Sequence, residues 1–249
     1  MGVTLIAFSG GKDSTAMILR LHEVEPETVK AARVISSPTG DELPGVVEHL
    51  QRVAAMVDKP IEPCGEHTLD ELIEAQRAIP NTRFRWCTKM LKVQPVLRLL
   101  RSLDDPEMLV GLRFDEPERR GIYSDDVRMR FPLREWGWTV DDVWGYLRAA
   151  GISVPPRTDC ARCPFQRLHE WRQLWRDHPA IYAAAEAQEI AYGHTFRSDS
   201  RDTWPADLAA LRLEFEKGRP MVGDSKRLQL SLFDEDEDDA PRACRVCSL

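Results

Sequence analysis

Apolar positions along this chain repeat with two different periods, and its first half alternates between them. Short runs at 3–8, 31–36 and 108–112 read as strands, and 60–63 as a further short strand. Residues 13–23, 43–57, 68–78 and 89–102 carry apolar side chains at helical spacing; in 43–57 these are Val46, Val47, Leu50, Val53, Ala54 and Val57. Strand followed by helix, repeated, predicts an α/β fold: a doubly wound parallel sheet covered by helices. A further amphipathic helix over 139–150 opens on Thr139, three residues before Asp142, close to a capping box. The pattern changes after Gly151. A proline-rich turn, Val154-Pro155-Pro156, leads to Cys160, and helices rich in Trp, Arg and Ala follow at 168–177 and 179–192. From about Pro220 the chain reads as an extended tail. Three regions result: an α/β domain over 1–150, a helical Cys-x-x-Cys region over 151–218, and an acidic tail over 219–249. No internal repeat is present.

The chemistry concentrates where the first strand ends, at Phe8-Ser9-Gly10-Gly11-Lys12-Asp13-Ser14. The order is strand, tight glycine turn, helix N-terminus. Such a junction aims backbone N–H groups and the positive end of the helix dipole at one spot, which suits a phosphate. Gly10 and Gly11 permit positive φ and close backbone approach. Ser9 and Ser14 offer hydroxyl donors, and Lys12 a point charge. Asp13 suits Mg²⁺, directly or through water, or serves simply as an acid at a helix N-terminus. The Walker A loop is longer and ends Gly-Lys-Ser/Thr, so it is not the pattern here. Arg113 and Arg119 follow the strand at 108–112, at the end of the sheet where open α/β folds bind ligands. Arginine makes bidentate phosphate contacts, and a surface salt bridge is the plainer use. Lys92 faces the same anion or solvent.

Ser-Gly-Gly-Lys-Asp-Ser resembles the PP-loop of N-type ATP pyrophosphatases, which cut ATP between its α and β phosphates. Further segments resemble, in order, those of the phosphoadenosine-phosphosulfate (PAPS) reductase family. They are Ser37-Pro38-Thr39-Gly40-Asp41-Glu42-Leu43-Pro44, Cys87 through Pro95, Val110-Gly111-Leu112-Arg113 through Arg120, Phe131 through Trp136 with 139–147, and Cys160-Ala161-Arg162-Cys163-Pro164. The resemblance covers about residues 3–190. It implies an adenine-nucleotide domain with Ser9, Gly10, Gly11, Lys12, Asp13, Ser14, Arg113 and Arg119 around the nucleotide, and with Lys12, Asp13 and Arg113 as the catalytic set. The chain departs from PAPS reductases proper, whose phosphate loop is degraded and whose tail carries Glu-Cys-Gly-x-His. Here the loop is intact and the tail ends Cys244-Arg245-Val246-Cys247-Ser248-Leu249. The chain therefore resembles the ATP-cleaving members, of DNA-phosphorothioation or tRNA-thiolation type, and similar phage proteins. The implied activity is ATP pyrophosphatase chemistry serving sulfur transfer. A sulfonucleotide (PAPS/APS) reductase and a non-catalytic nucleotide-binding subunit are the alternatives.

Six cysteines in a chain of 249 residues turn attention to metal or redox chemistry. Cys87, Cys160 and Cys163 fit three ligands of a [4Fe-4S] cluster. Zinc suits the same thiolates, and unligated thiols are the bland alternative. Cys244 or Cys247 is a candidate fourth ligand or sulfur carrier; Cys64 reads as a loop or buried thiol. None of the six histidines has ligand spacing, so each is expected at the surface or at a helix cap. Trp171 and Trp175, four apart, read as core, with a nucleic-acid face the competing use. The net charge of −7 owes six charges to the acidic run at 234–239, leaving an arginine-rich remainder compatible with a nucleic-acid partner. No run approaches a membrane span, and no basic n-region precedes the first apolar run, so the expected location is cytoplasmic. The expected partners are ATP with Mg²⁺, a DNA or tRNA acceptor, and a sulfur donor such as a cysteine desulfurase; a homodimer is compatible.

Overall fold

The computed structural model describes residues 2–119, 127–199 and 202–221. They fall into two units. The first comprises residues up to 69 and 87–159; the second comprises 70–86 and the described residues from 160 onward.

The first unit begins β1 (Thr4–Ala7), α1 (Lys12–Val24), α2 (Pro26–Ala31), β2 (Arg33–Ser36), α3 (Pro44–Met56) and β3 (Ile61–Pro63). Helix α4 (Leu69–Gln76) carries the chain into the second unit. On its return come a π-helical segment (Thr88–Val93), α5 (Gln94–Arg101), β4 (Glu107–Leu109), β5 (Arg128–Arg130), α6 (Pro132–Glu135) and α7 (Val140–Ala149). The five strands form one sheet in the order β3-β2-β1-β4-β5, every pair parallel. The period of two along β1 divides the core. Ile6 and Phe8 join Met17, Leu21, Val53, Leu133 and Leu147 on one face. Leu5 and Ala7 join Val96, Leu100 and Met108 on the other. Helices thus cover both faces, as a parallel sheet requires, and the doubly wound α/β expectation holds.

The helix expected over 89–102 is instead a π turn followed by an α-helix. Pro95 is the physical reason. It has no N–H for the carbonyl of Leu91 and its ring crowds that carbonyl, so the turn before it widens. The expected cap of α7 is present: Thr139 donates from both its backbone N–H and its hydroxyl to Asp142 Oδ2, at 2.8 and 2.7 Å.

The second unit adds α8 (Leu168–Asp177), α9 (Pro179–Tyr192) and α10 (Leu208–Glu216) to most of α4. Trp171 is fully buried, its ring edge-on to Tyr182 at 6.3 Å and 6.1 Å from Phe196, while Trp175 meets Phe215 at 5.7 Å. Trp171 is core, and Trp175 is half-buried at its edge. Glu189 of α9 accepts the N–H groups of Phe196 and Leu208 at 2.8 and 2.6 Å. The second of these is the orphan donor at the start of α10. Burial pushes the Glu189 carboxyl up to about 7, with the two N–H bonds pulling the other way. Among the described residues no helix is long and apolar enough to cross a membrane.

Candidate functional site

The turn after β1 is built as its residues demand. Gly10 sits at φ +76°, in the left-handed region. Gly11 caps α1 with no side chain of its own, so the N–H groups of the first helical turn meet no capping side chain. Its carbonyl accepts the Thr15 N–H at 2.9 Å and the Ser14 hydroxyl at 3.1 Å. The Ser9 and Ser14 hydroxyls lie 3.2 Å apart. Gly111, just past β4, packs directly on this turn. A Cβ there would stand 3.0 Å from the Asp13 carbonyl carbon and 3.1 Å from the Ser14 nitrogen.

Beyond the strand ends lies a cleft of about 240 Å³. One wall is Ser9 with Gly11–Ser14. Others are Ser36–Pro38 after β2, Gly111 and Leu112 after β4, and Pro155, Pro156 and Thr158. Strand order reverses between β1 and β4, so the cleft occupies the switch point where open α/β sheets hold ligands. Lys12, Lys92 and Arg119 line it, so three of the cations singled out from the sequence converge.

Asp13 and Arg113 are occupied with each other. The Arg113 guanidinium donates to both oxygens of Asp13 at 3.0 and 2.9 Å, to Asp115 at 2.9 Å, and pairs with Glu116 at 3.1 Å. Lys12 Nζ also reaches Asp13, at 3.2 Å. All three central residues are buried. Burial works against the Arg113 charge, and Asp13, Asp115 and Glu116 overcome it, holding the guanidinium more firmly protonated than usual. Burial lowers the Lys12 ammonium below the ordinary lysine value, against the pull of Asp13. Arg113 is therefore a brace for the loop rather than a cation directed at the cleft. As it stands the Asp13 carboxylate, with both oxygens on Arg113, does not fit a direct Mg²⁺ ligand. Arg119 keeps its place on the cleft while pairing with Glu116 at 3.0 Å. Arg134 fastens this segment from below, donating to the carbonyls of Arg113, Glu116 and Arg119.

His49 corrects the expectation of surface histidines. It is buried, its Nε2 3.0 Å from Thr15 Oγ1 and its Nδ1 2.9 Å from the Arg52 guanidinium. Arginine only donates, so Nδ1 accepts and Nε2–H donates to Thr15. Burial, with the Arg52 charge, lowers this imidazole to about 4. Helical spacing on α3 marked Val46, Leu50 and Val53 as core; His49 lies on the same stripe, a signal passed over for want of ligand spacing. Glu42 also lines the cleft, its Oε1 held by the Thr39 N–H and hydroxyl at 2.6 and 2.7 Å. Ser37 Oγ, at the same wall, is buried without a hydrogen-bond partner among the described residues, an orphan that a polar ligand would satisfy. Nothing in the sequence marked Pro155, Pro156 and Thr158 as returning to the cleft.

Cys160 and Cys163 stand on successive turns in the second unit, the Cys163 N–H donating to the Cys160 carbonyl at 3.1 Å and the Gln166 N–H to that of Cys163 at 3.1 Å. Arg162 between them is buried, its guanidinium on Asp70 at 2.7 Å and Gln188 at 2.9 Å. Cys87 opens the returning segment of the first unit. Among the described residues, no group of three or more His, Cys, Asp or Glu is arranged to hold a metal ion. Burial raises the Cys64 thiol to about 11, as a packed, unreactive thiol would be. Cys244 and Cys247 lie outside the described residues.

A parallel sheet with a cleft at its strand-order reversal, and an uncapped glycine turn opening the first helix beside it, defines the class: an open, doubly wound α/β domain. The particular family follows from comparison. Residues 4–159 match the model of the phosphoadenosine phosphosulfate reductase domain, and the chain belongs to that family. Two curated proteins of Methanocaldococcus jannaschii are similar, uncharacterized proteins MJ0973 and MJ0066. The first is 26% identical over 191 residues, 71% of this chain and 45% of that one; the second is 25% identical over 195 residues, 72% and 39%. The chain thus spans less than half the length of these relatives. Among solved structures, Candida auris PAPS reductase in its phosphate complex superposes with a TM-score of 0.48 at 16% identity, covering 62% of this chain and 75% of that one. Methanococcus maripaludis U34-tRNA thiolase NcsA, with its [4Fe-4S] cluster, gives 0.43 at 14% identity over 84% and 80%.

Proposed function

We propose that this protein is an enzyme that binds ATP in the cleft beyond β1 and cleaves it between the α and β phosphates. An acceptor is thereby activated as an adenylate for sulfur transfer to a nucleic acid or a small acceptor. The observation that carries the reading is the Ser9–Ser14 turn: left-handed Gly10, uncapped Gly11 and a buried Lys12 at the rim of the cleft. Attack at the α phosphorus breaks the bond to the bridging oxygen, and pyrophosphate leaves with the electron pair. That step needs charge neutralisation of the leaving group rather than a covalent enzyme group. The first-turn N–H groups, the Ser9 and Ser14 hydroxyls and Lys12 receive the pyrophosphate, and Lys92 and Arg119 add charge from the opposite walls. Mg²⁺, arriving with the polyphosphate, supplies further neutralisation when bound. Asp13 and Arg113 hold the turn in shape. A sulfur donor such as a cysteine desulfurase belongs to the same reading. Cys87, Cys160 and Cys163, with Cys244 or Cys247, are the thiolates that would hold an iron–sulfur cluster in this reading.

Family membership favours a second reading, a sulfonucleotide reductase, since the matching domain is that of PAPS reductase. The two readings differ in the ligand. Calorimetry should show ATP binding, weakened by about 2–4 kcal/mol in the Lys12→Ala, Ser14→Ala double variant, the scale of lost charge-assisted hydrogen bonds. Pyrophosphate release should accompany turnover. ATP affinity untouched by the double variant would remove the assignment, and tight PAPS binding without ATP binding would transfer it to the reductase.

A further inference from the structure

Three large apolar side chains stand well clear of the surface: Ile190 at 73% exposure, Phe114 at 61% and Phe84 at 55%. Their surroundings separate them. Ile190 follows Glu189, and Phe114 precedes Asp115 and Glu116, so both sit in acidic sequence. Phe84 stands between Arg83 and Arg85, in a stretch from Arg77 to Arg85 that holds three arginines and no acid.

This aromatic is held out by construction. Its turn is closed by Asn81, whose Oδ1 accepts the N–H groups of Arg83 and Phe84 at 2.9 and 2.8 Å, while the Asn81 N–H donates to the Phe84 carbonyl at 3.3 Å. Both feet are anchored in the core, Ile79 and Pro80 on one side and Trp86 on the other. His194 grips the Ile79 backbone at 3.1 Å, and the Arg85 guanidinium lies 4.9 Å over the Phe165 ring. A side chain on so short and braced a turn has no route into the core, and its exposure leaves a ring with an open face next to Arg83 in sequence. An aromatic ring that stacks a base, beside a cation that meets a phosphate and in a stretch with no acid, is what a single strand of nucleic acid needs; a protein partner would gain from the ring but not from an all-basic surround.

We infer that the Asn81–Arg85 turn is a docking prong for single-stranded nucleic acid, with Phe84 stacking on an unpaired base and Arg83 meeting the adjacent phosphate. This names the acceptor class left open above. It rests on that reading only in calling the strand an acceptor, since binding to the prong requires no nucleotide in the cleft.

The test is therefore made on the full chain without ATP. Fluorescence anisotropy of labelled oligouridylate and oligothymidylate, with a duplex as control, should show preference for single strands; the stronger of the first two tells RNA from DNA. Phe84→Ala should weaken binding by about 5- to 100-fold, the loss of one stacked base, and Phe84→Tyr should restore it. Arg83→Gln should flatten the dependence of log affinity on log salt by about 0.7, one phosphate contact on a single strand. Equal affinity of wild type and Phe84→Ala overturns the inference, as does absence of single-strand binding at low salt. A change of oligomeric state in Phe84→Ala with nucleic-acid affinity intact also overturns it, making the ring a protein contact. Failure of ATP cleavage with these binding results intact would remove the proposed activity and leave the prong.

Discussion

Asp13 decides how the turn after β1 is held. In sequence it is an acid at a helix N-terminus that suits a hard cation; in the structure it neutralises two buried cations, Arg113 and Lys12. Removing it leaves both charges buried with less compensation, the costly half of a broken ion pair. Asp13→Ala should therefore destabilise the fold by about 3 kcal/mol in urea unfolding with no nucleotide present. A residue serving only to hold Mg²⁺ would cost nothing under those conditions. His49 supplies the matching pH dependence. Folded, its pKa is about 4 against an ordinary 6.5, so the unfolded chain takes up the proton first. The stability it contributes is complete above pH 6.5 and is lost as pH falls toward 4, on the order of 3 kcal/mol in all. His49→Gln keeps an acceptor for Arg52 and a donor for Thr15 without titrating. Its unfolding midpoint should fall less steeply than that of wild type between pH 6.5 and 4.

At the scale of elements, close approach matters more than charge. Gly111→Ala puts a Cβ 3.0 Å from the Asp13 carbonyl carbon, against backbone that cannot swing aside. The turn and β4 must part, at about 1–3 kcal/mol, and ATP affinity should fall with stability; calorimetry beside chemical denaturation reads both. No spacing rule identifies that contact, because it joins segments about 100 residues apart and the sequence places Gly111 only within an apolar run. Strands β1, β2 and β4 were legible from short runs with apolar cores between turn residues, and β3 from its proline-bounded position between two helices. Strand β5 was not: it reads Arg-Met-Arg at the sheet edge, where one side of the backbone needs no apolar neighbours. The glycine turn after β1 was legible since its glycines, serines and lysine are contiguous. Arg113 was read as a site residue and not as a brace, because its distant partner Asp13 is brought to it only by folding. The π turn could have been foreseen from Pro95 and places Lys92 on the cleft wall.

Across the whole molecule the chain is interleaved rather than concatenated. The sequence suggests a domain ending near 150 followed by a helical region, whereas the second unit takes residues 70–86 from the middle of the first half and resumes at 160. Those residues carry their own share of that unit's bonds. Asp70 holds Arg162 and Gln188, the backbone of Ile79 holds His194, and Arg85 covers Phe165. Truncation after residue 159 therefore does not free a finished nucleotide domain. It leaves 70–86 without the partners of Asp70, Ile79 and Arg85, and turns Leu72, Ile73 and Ile79, nearly fully buried in the intact chain, toward water. Each fully exposed side chain forfeits about 1.5–3 kcal/mol, a large part of what a marginally stable domain has. The 1–159 fragment should aggregate or melt well below the full chain. The same fragment with a short Gly-Ser linker in place of 70–86 should recover solubility and a cooperative melt. Thermal unfolding and light scattering of the three proteins make the comparison. Equal melting of the full chain and the simple truncation would mean that 70–86 folds with the first unit, and the division at 159/160 would have to be redrawn.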